Sequence, residues 1–124
     1  MSDCGVCISS YEGDSCCTGY RCVVVKAGQK WRCCECGAVI AKGAKYERAT
    51  WFNDGSFGQA KTCLICAEIA NAFSCGGRWH GDNLWESMEY VWEKLNTTCF
   101  HRLQTPEAKA ELRRRWMQWK GITA

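Results

Sequence analysis

The sequence predicts an α+β fold: a small zinc-stabilised, treble-clef-like domain of β-hairpin plus helix, followed by two C-terminal helices. Three observations carry this. Two CxxC pairs, Cys33/Cys36 and Cys63/Cys66, follow the pattern Cys-x2-Cys-x26-Cys-x2-Cys. A hairpin signal, Asn53-Asp54-Gly55, lies between them, because Asn, Asp and Gly tolerate positive φ. Helical periodicity begins at the second pair and recurs twice downstream.

The elements follow in order. Residues 1–30 are rich in Cys, Gly, Ser and Tyr and read as loops, with a short strand near Arg21–Val25. Lys45–Phe52 mixes β-formers with polar residues, and Ser56–Thr62 is the return strand. From Cys63 onward Ile65, Ile69 and Phe73 fall at helical spacing, with Gly76-Gly77 as the stop. A second helix is expected over Asp82–Leu95, capped by Asp82 or Asn83. Its apolar stripe is Leu84, Met88, Val91 and Leu95. A third starts with Thr105 as N-cap, Pro106 at the first position and Glu107 in the first turn. It runs to about Lys120 with Ala108, Leu112, Trp116 and Trp119 on one side. At 124 residues the chain divides into a cysteine-rich metal-binding module, 1–80, and a helical extension packed on it, 81–124.

Twelve cysteines in a chain this short mean a disulfide scaffold or a metalloprotein. The first ten residues show no secretory pattern, and no run approaches the ~20 apolar residues that span a bilayer. The expectation is therefore a reducing cytoplasm, where thiolate–metal bonds are favoured over disulfides. Cys33, Cys36, Cys63 and Cys66 are the ligands expected of a tetrahedral zinc site, with an iron–sulfur cluster as the other thiolate centre. Cys4, Cys7, Cys34 and Cys75 make a candidate second zinc set. Cys16, Cys17, Cys22 and Cys99 are left over; Cys22 and Cys99 suit small buried apolar positions, and Cys16-Cys17 can replace part of either set.

Seven stretches stand out: Cys4-Gly-Val-Cys7, Cys33-Cys34-Glu-Cys36-Gly37, Gly43-Ala-Lys-Tyr46-Glu, Trp51 ahead of Asp54-Gly55, Lys61-Thr-Cys63-x2-Cys66-Ala, Phe73-Ser-Cys75-Gly76-Gly77 and Leu84-Trp85-Glu86. Together they resemble a family of small, mostly uncharacterised, cysteine-rich zinc-binding proteins of tailed bacteriophages and prophages. The resemblance covers residues 1–95. It implies a phage origin and metal-binding cysteines, and supplies no settled activity. Residues 96–124 and the Cys16-Cys17 pair lie outside it.

A zinc held by four cysteines has no open position for water or substrate, so no enzyme is expected. Nuclease-type treble clefs need a hairpin His, and both histidines here, His80 and His101, fall later. The expected function is a phage accessory protein, a non-catalytic zinc-stabilised binding module in the host cytoplasm. It would engage, and inhibit or redirect, a host protein in takeover or anti-defence. Seven tryptophans and the run Arg113–Arg115 supply the residue types of interface hot spots, so Arg113, Arg114, Arg115, Trp116 and Trp119 are the expected partner surface. The alternative is nucleic-acid binding by the basic C-terminal helix. Residues 105–124 carry Lys109, Arg113, Arg114, Arg115 and Lys120 against Glu107 and Glu111, which accounts for the whole net charge of +3. Three consecutive arginines, however, spread over about 200° of helix. No membrane partner is expected.

Overall fold

The computed structural model describes residues 4–6, 8, 18–53, 56–74 and 84–121. Strands β1 (Thr18–Lys26), β2 (Trp31–Arg32), β3 (Val39–Ile40), β4 (Lys45–Asn53) and β5 (Ser56–Cys63) form two antiparallel sheets. One is three-stranded in the order β1-β4-β5, and the other is the ribbon β2-β3. The pairing of β4 with β5 runs without a break from Tyr46↔Cys63 to Asn53↔Ser56. Gly58 is required there: a Cβ would meet the Trp51 indole at 2.5 Å, so only glycine lets the ring cross the sheet. The strand expected near Arg21–Val25 is β1, longer than its β-branched centre and joined to β4 with a register shift between Thr18 and Arg21.

Helix α1 (Leu64–Phe73) follows β5 directly. Its inward face, Cys66, Ala67, Ile69, Ala70 and Phe73, is buried. The expected stop at Gly76-Gly77 and the caps Asp82 and Asn83 lie outside the described residues. The single helix expected over 82–95 is broken. Helix α2 covers Leu84–Met88, and a 3-10 turn covers Trp92–Lys94. The predicted stripe is nonetheless buried in full at Leu84, Met88, Val91 and Leu95. Packing differs on the two sides of the break: Trp85 and Trp92 stack across it with centroids 6.3 Å apart, and the Trp92 carbonyl receives the Trp116 indole N–H. A second 3-10 segment, Thr97–Arg102, was not expected; Asn96 caps it by accepting from the Thr98 amide at 2.9 Å.

Helix α3 (Pro106–Lys120) begins where its caps predict, with the Thr105 hydroxyl accepting from the Ala108 amide at 3.2 Å. Gly121 ends it at φ 79°, a left-handed position that suits glycine. Ala108, Leu112 and Trp116 are buried in the one continuous core, and the Trp116 indole N–H donates to Trp92 O at 3.2 Å. Trp119 is 44% exposed. Helix α1 fixes where α3 starts: Glu68 accepts from the amides of Gln104 and Thr105 and from the Thr105 hydroxyl. No helix among the described residues is long and apolar enough to cross a membrane.

The N-terminal segment is drawn onto this body. Val6 and Ile8 are buried, and the Ile8 amide donates to Phe73 O at 2.8 Å. The Arg102 guanidinium donates to the carbonyls of Val6 and Cys4. These contacts carry Cys4 onto the 3-10 segment, where it forms a disulfide with Cys99. This corrects two expectations: Cys4 is not available as a metal ligand, and Cys99 is a bridging rather than a merely apolar cysteine. The closed loop spans 95 residues, a length for which chain entropy alone gives about 4–5 kcal/mol.

Two outcomes follow. Trp116→Ala should lower unfolding free energy by about 3–5 kcal/mol in urea titrations, through cavity formation and an orphaned Trp92 carbonyl. Trp119→Ala should change it by less than about 1 kcal/mol. Burial pushes the Glu68 carboxyl up, but the Thr105 hydroxyl and the two amides outweigh it and hold it below the usual range. Its contribution is therefore complete above the unfolded carboxylate value, about 4.3, and lost as pH falls through the lower folded value. Glu68→Gln should cost about 1 kcal/mol or less at neutral pH, given solvent screening, and nothing near pH 2.

Candidate metal centre

The Cys33-Cys34-Glu35-Cys36-Gly37 stretch is a tight turn between β2 and β3. Cys33 donates its amide to Ala38 O at 2.9 Å, and Gly37 returns its amide to Cys33 O at 2.9 Å. Gly37 sits at φ 76°, the left-handed conformation that closes such a turn. Arg32 Nη1 donates to Gly37 O at 2.9 Å and braces it. Across from the turn, Cys63 ends β5 and caps α1, its sulfur accepting from the Cys66 amide at 3.5 Å.

These two elements bring together the four predicted ligands. The Sγ atoms of Cys33, Cys36, Cys63 and Cys66 all lie within 4.8 Å of one another. Cys36 Sγ and Cys63 Sγ are 3.9 Å apart. A tetrahedron with Zn–S bonds of about 2.3 Å has edges of about 3.8 Å, so the cluster fits one thiophilic ion. Backbone amides are aimed at the sulfurs: Glu35 and Cys63 each donate to Cys33 Sγ at 3.3 Å, and Ala38 donates to Cys36 Sγ at 3.5 Å. Such bonds favour thiolate over thiol, as does the positive end of α1 beside Cys63 and Cys66.

The thiols compete for charge. Hydrogen bonds from the Cys63 and Cys66 thiols hold Cys33 far below its ordinary value. Hydrogen bonding to Cys33 pushes Cys63 up to about 12. The same neighbours, and then burial, push Cys66 up as well. Four thiolates this close require a cation, and a bound cation would override these differences and deprotonate them all. Cys33 and Cys66 are buried; Cys36 and Cys63 are half-buried and border a hollow of about 220 Å³ shared with Glu111, Arg114 and Arg115 of α3.

The second expected set does not assemble among the described residues. Cys4 is bridged to Cys99, and Cys34 is exposed, its sulfur 3.4 Å from Thr62 Oγ1. Cys7 and Cys75 lie outside the described residues, as do Cys16, Cys17 and His80. His101 is exposed on the 3-10 segment.

The expected partner surface on α3 is largely engaged within the chain. Arg115 lies 3.9 Å over the Trp85 ring and is 2.6 Å from Glu111; Arg114 is 2.7 Å from Glu111. Arg113 lies over Phe100 and Lys120 over Trp116. Trp116 is buried, which corrects its reading as an exposed anchor: its indole packs against the Phe100 ring and donates to the Trp92 carbonyl. Two residues that pattern reasoning passed over also shape the site. Glu35 leaves the cysteine turn to accept the Leu84 amide at 2.7 Å, and Lys61 places its ammonium 4.1 Å from the Trp31 ring.

Comparison with protein-family models, curated proteins and solved structures finds no match. The geometry alone defines the class: an α+β protein whose four clustered cysteines can hold a metal.

Metal analysis should find one equivalent held by this cluster. Cys66→Ala should abolish it along with cooperative unfolding, whereas Cys34→Ser should retain it. Because each thiol must lose its proton to bind, metal affinity should fall steeply as pH drops, and a chromophoric chelator titration reads this directly.

Proposed function

We propose that the chain is a treble-clef-like, zinc-stabilised binding module without catalytic activity. One observation carries this reading: four cysteine sulfurs, none replaced by His or carboxylate, converge from a turn and a helix N-terminus. The order of cysteine turn, hairpin and helix opening on CxxC supports the treble-clef assignment. Four thiolates fill a tetrahedral ion, leaving no position to activate water or polarise a substrate. Soft thiolates at this spacing favour zinc.

What the ion supplies is rigidity. Structural zinc contributes about 10–16 kcal/mol of apparent binding energy, comparable to the whole net stability of an ordinary domain, about 5–15 kcal/mol. The function then rests on what this framework presents to a partner. Helix α3 is the expected surface, but its Arg113, Arg114, Arg115 and Lys120 face rings and a carboxylate of the same chain. The three-stranded sheet instead exposes large apolar side chains, Val23, Val24, Phe52 and Phe57. The motif resemblance adds a phage setting in which the partner is a host macromolecule.

Cobalt substitution tests the closed site. A tetrahedral tetrathiolate spectrum, unchanged by excess azide, is the expected result. A spectrum that shifts with azide reveals an exchangeable position and overturns the non-catalytic reading.

A further inference from the structure

The three-stranded sheet has two unlike faces. Register places Arg48 opposite Val23 and Lys61, Thr50 opposite Arg21 and Gln59, and Phe52 opposite Phe57. Paired residues share a face, so Arg21, Arg48, Lys61, Phe52 and Phe57 all stand on one side, and none of the residues paired with them is acidic. The strands β1, β4 and β5 carry five cations, Arg21, Lys26, Lys45, Arg48 and Lys61, against one carboxylate, Glu47. Glu47 belongs to the other face, where Asn71 of α1 donates to it at 3.5 Å.

Arg21 and Arg48 are diagonal neighbours across β1 and β4, a relation that puts Cα atoms roughly 7–8 Å apart. Both are exposed, and neither takes part in an ion pair among the described residues. Between them lies a hollow of about 140 Å³ lined by Arg21, Val23, Arg48 and Thr50. Two arginines lining one hollow, with no ion pair among the described residues, offer a bridging anion two guanidinium donors. Toward the hairpin end, Phe52 and Phe57 form an edge-to-face pair at 5.5 Å while remaining 51% and 60% exposed. Toward the metal, the Lys61 ammonium and Trp31 ring form a second cation–aromatic pair.

We propose that this face binds single-stranded nucleic acid, with Arg21 and Arg48 bridging a backbone phosphate and the Phe52–Phe57 pair stacking an unpaired base. The inference rests on the binding-module reading and names its partner. Charge complementarity selects a polyanion, and exposed rings beside the guanidinia select one with free π-faces, because a duplex keeps its bases stacked inside. The metal centre anchors one end of the platform, since Cys63 ends β5 two residues from Lys61.

Fluorescence anisotropy with a labelled oligothymidylate of roughly 12 nucleotides, its RNA counterpart and a matched duplex tests this on the full metal-loaded chain. Single strands should bind and the duplex should bind at least about tenfold more weakly. Affinity should fall with salt. Joint Arg21→Ala and Arg48→Ala should weaken binding about tenfold or more and reduce the salt slope by about 1. Phe52→Ala with Phe57→Ala should weaken it about tenfold while leaving the slope unchanged. Arg113→Ala on α3 should leave both unchanged. Equal binding of duplex and single strand by the unaltered chain overturns the proposal, and so does indifference to the arginine pair. Absence of binding, with metal content and melting intact, also overturns it while the binding-module reading stands. Self-association lost on the same arginine substitutions would assign the face to a second copy, and a protein ligand displaced by Phe52→Ala but not by oligonucleotide would assign it to a protein.

Discussion

Four sulfur atoms converge where a five-residue turn meets the first turn of a helix, and the remaining architecture is arranged around that point. The turn is held by two backbone hydrogen bonds and a left-handed Gly37, and the helix begins on Cys63 itself. Neither piece is long enough to persist alone. A two-residue ribbon and a ten-residue helix fall below the lengths at which isolated elements are stable in water. A cation held by the four sulfurs would tie them together and set the base of the three-stranded sheet, since β5 ends on one of the clustered cysteines.

The last helix completes this arrangement as a clamp rather than as a free surface. Its apolar side fills the core, its first turn is received by Glu68, and its arginines close over Trp85, Phe100 and the flank of the metal centre. A tetrathiolate site around a divalent ion is anionic overall, so Arg114 and Arg115 beside Cys36 and Cys63 would also offset local charge once an ion is bound. The chain's basic character is thus divided in two. The C-terminal cations have rings and a carboxylate for company; the sheet cations Arg21 and Arg48 look outward.

Much of this was legible because the signals are local. CxxC spacing, the hairpin tripeptide and Thr105-Pro106-Glu107 each act within one turn of chain, and they place the cluster of Cys33, Cys36, Cys63 and Cys66 and the elements β4, β5, α1 and α3. The failures are all long-range. The break after Met88 goes with a Trp85–Trp92 stack and a Trp116 hydrogen bond that form only in the folded core. Cys4 meets Cys99 because Arg102 reaches carbonyls almost a hundred residues away, and no spacing rule reports that. Counting charge along the chain made residues 1–104 look neutral. Strand pairing then separated those charges by face, which depends on the register of β1 against β4.

The bridge between the two ends of the chain implies an order of events at the ribosome. Translation proceeds at about 5–20 residues per second, so the ligand cysteines emerge some seconds before Cys99 does. A cation can lock the hairpin and α1 while the remaining third is still being made, and Glu68 then waits as a docking point for the nascent last helix. The bridge from Cys4 must await Cys99, so the strap that carries Val6 and Ile8 is fastened only after the ligand cysteines have emerged.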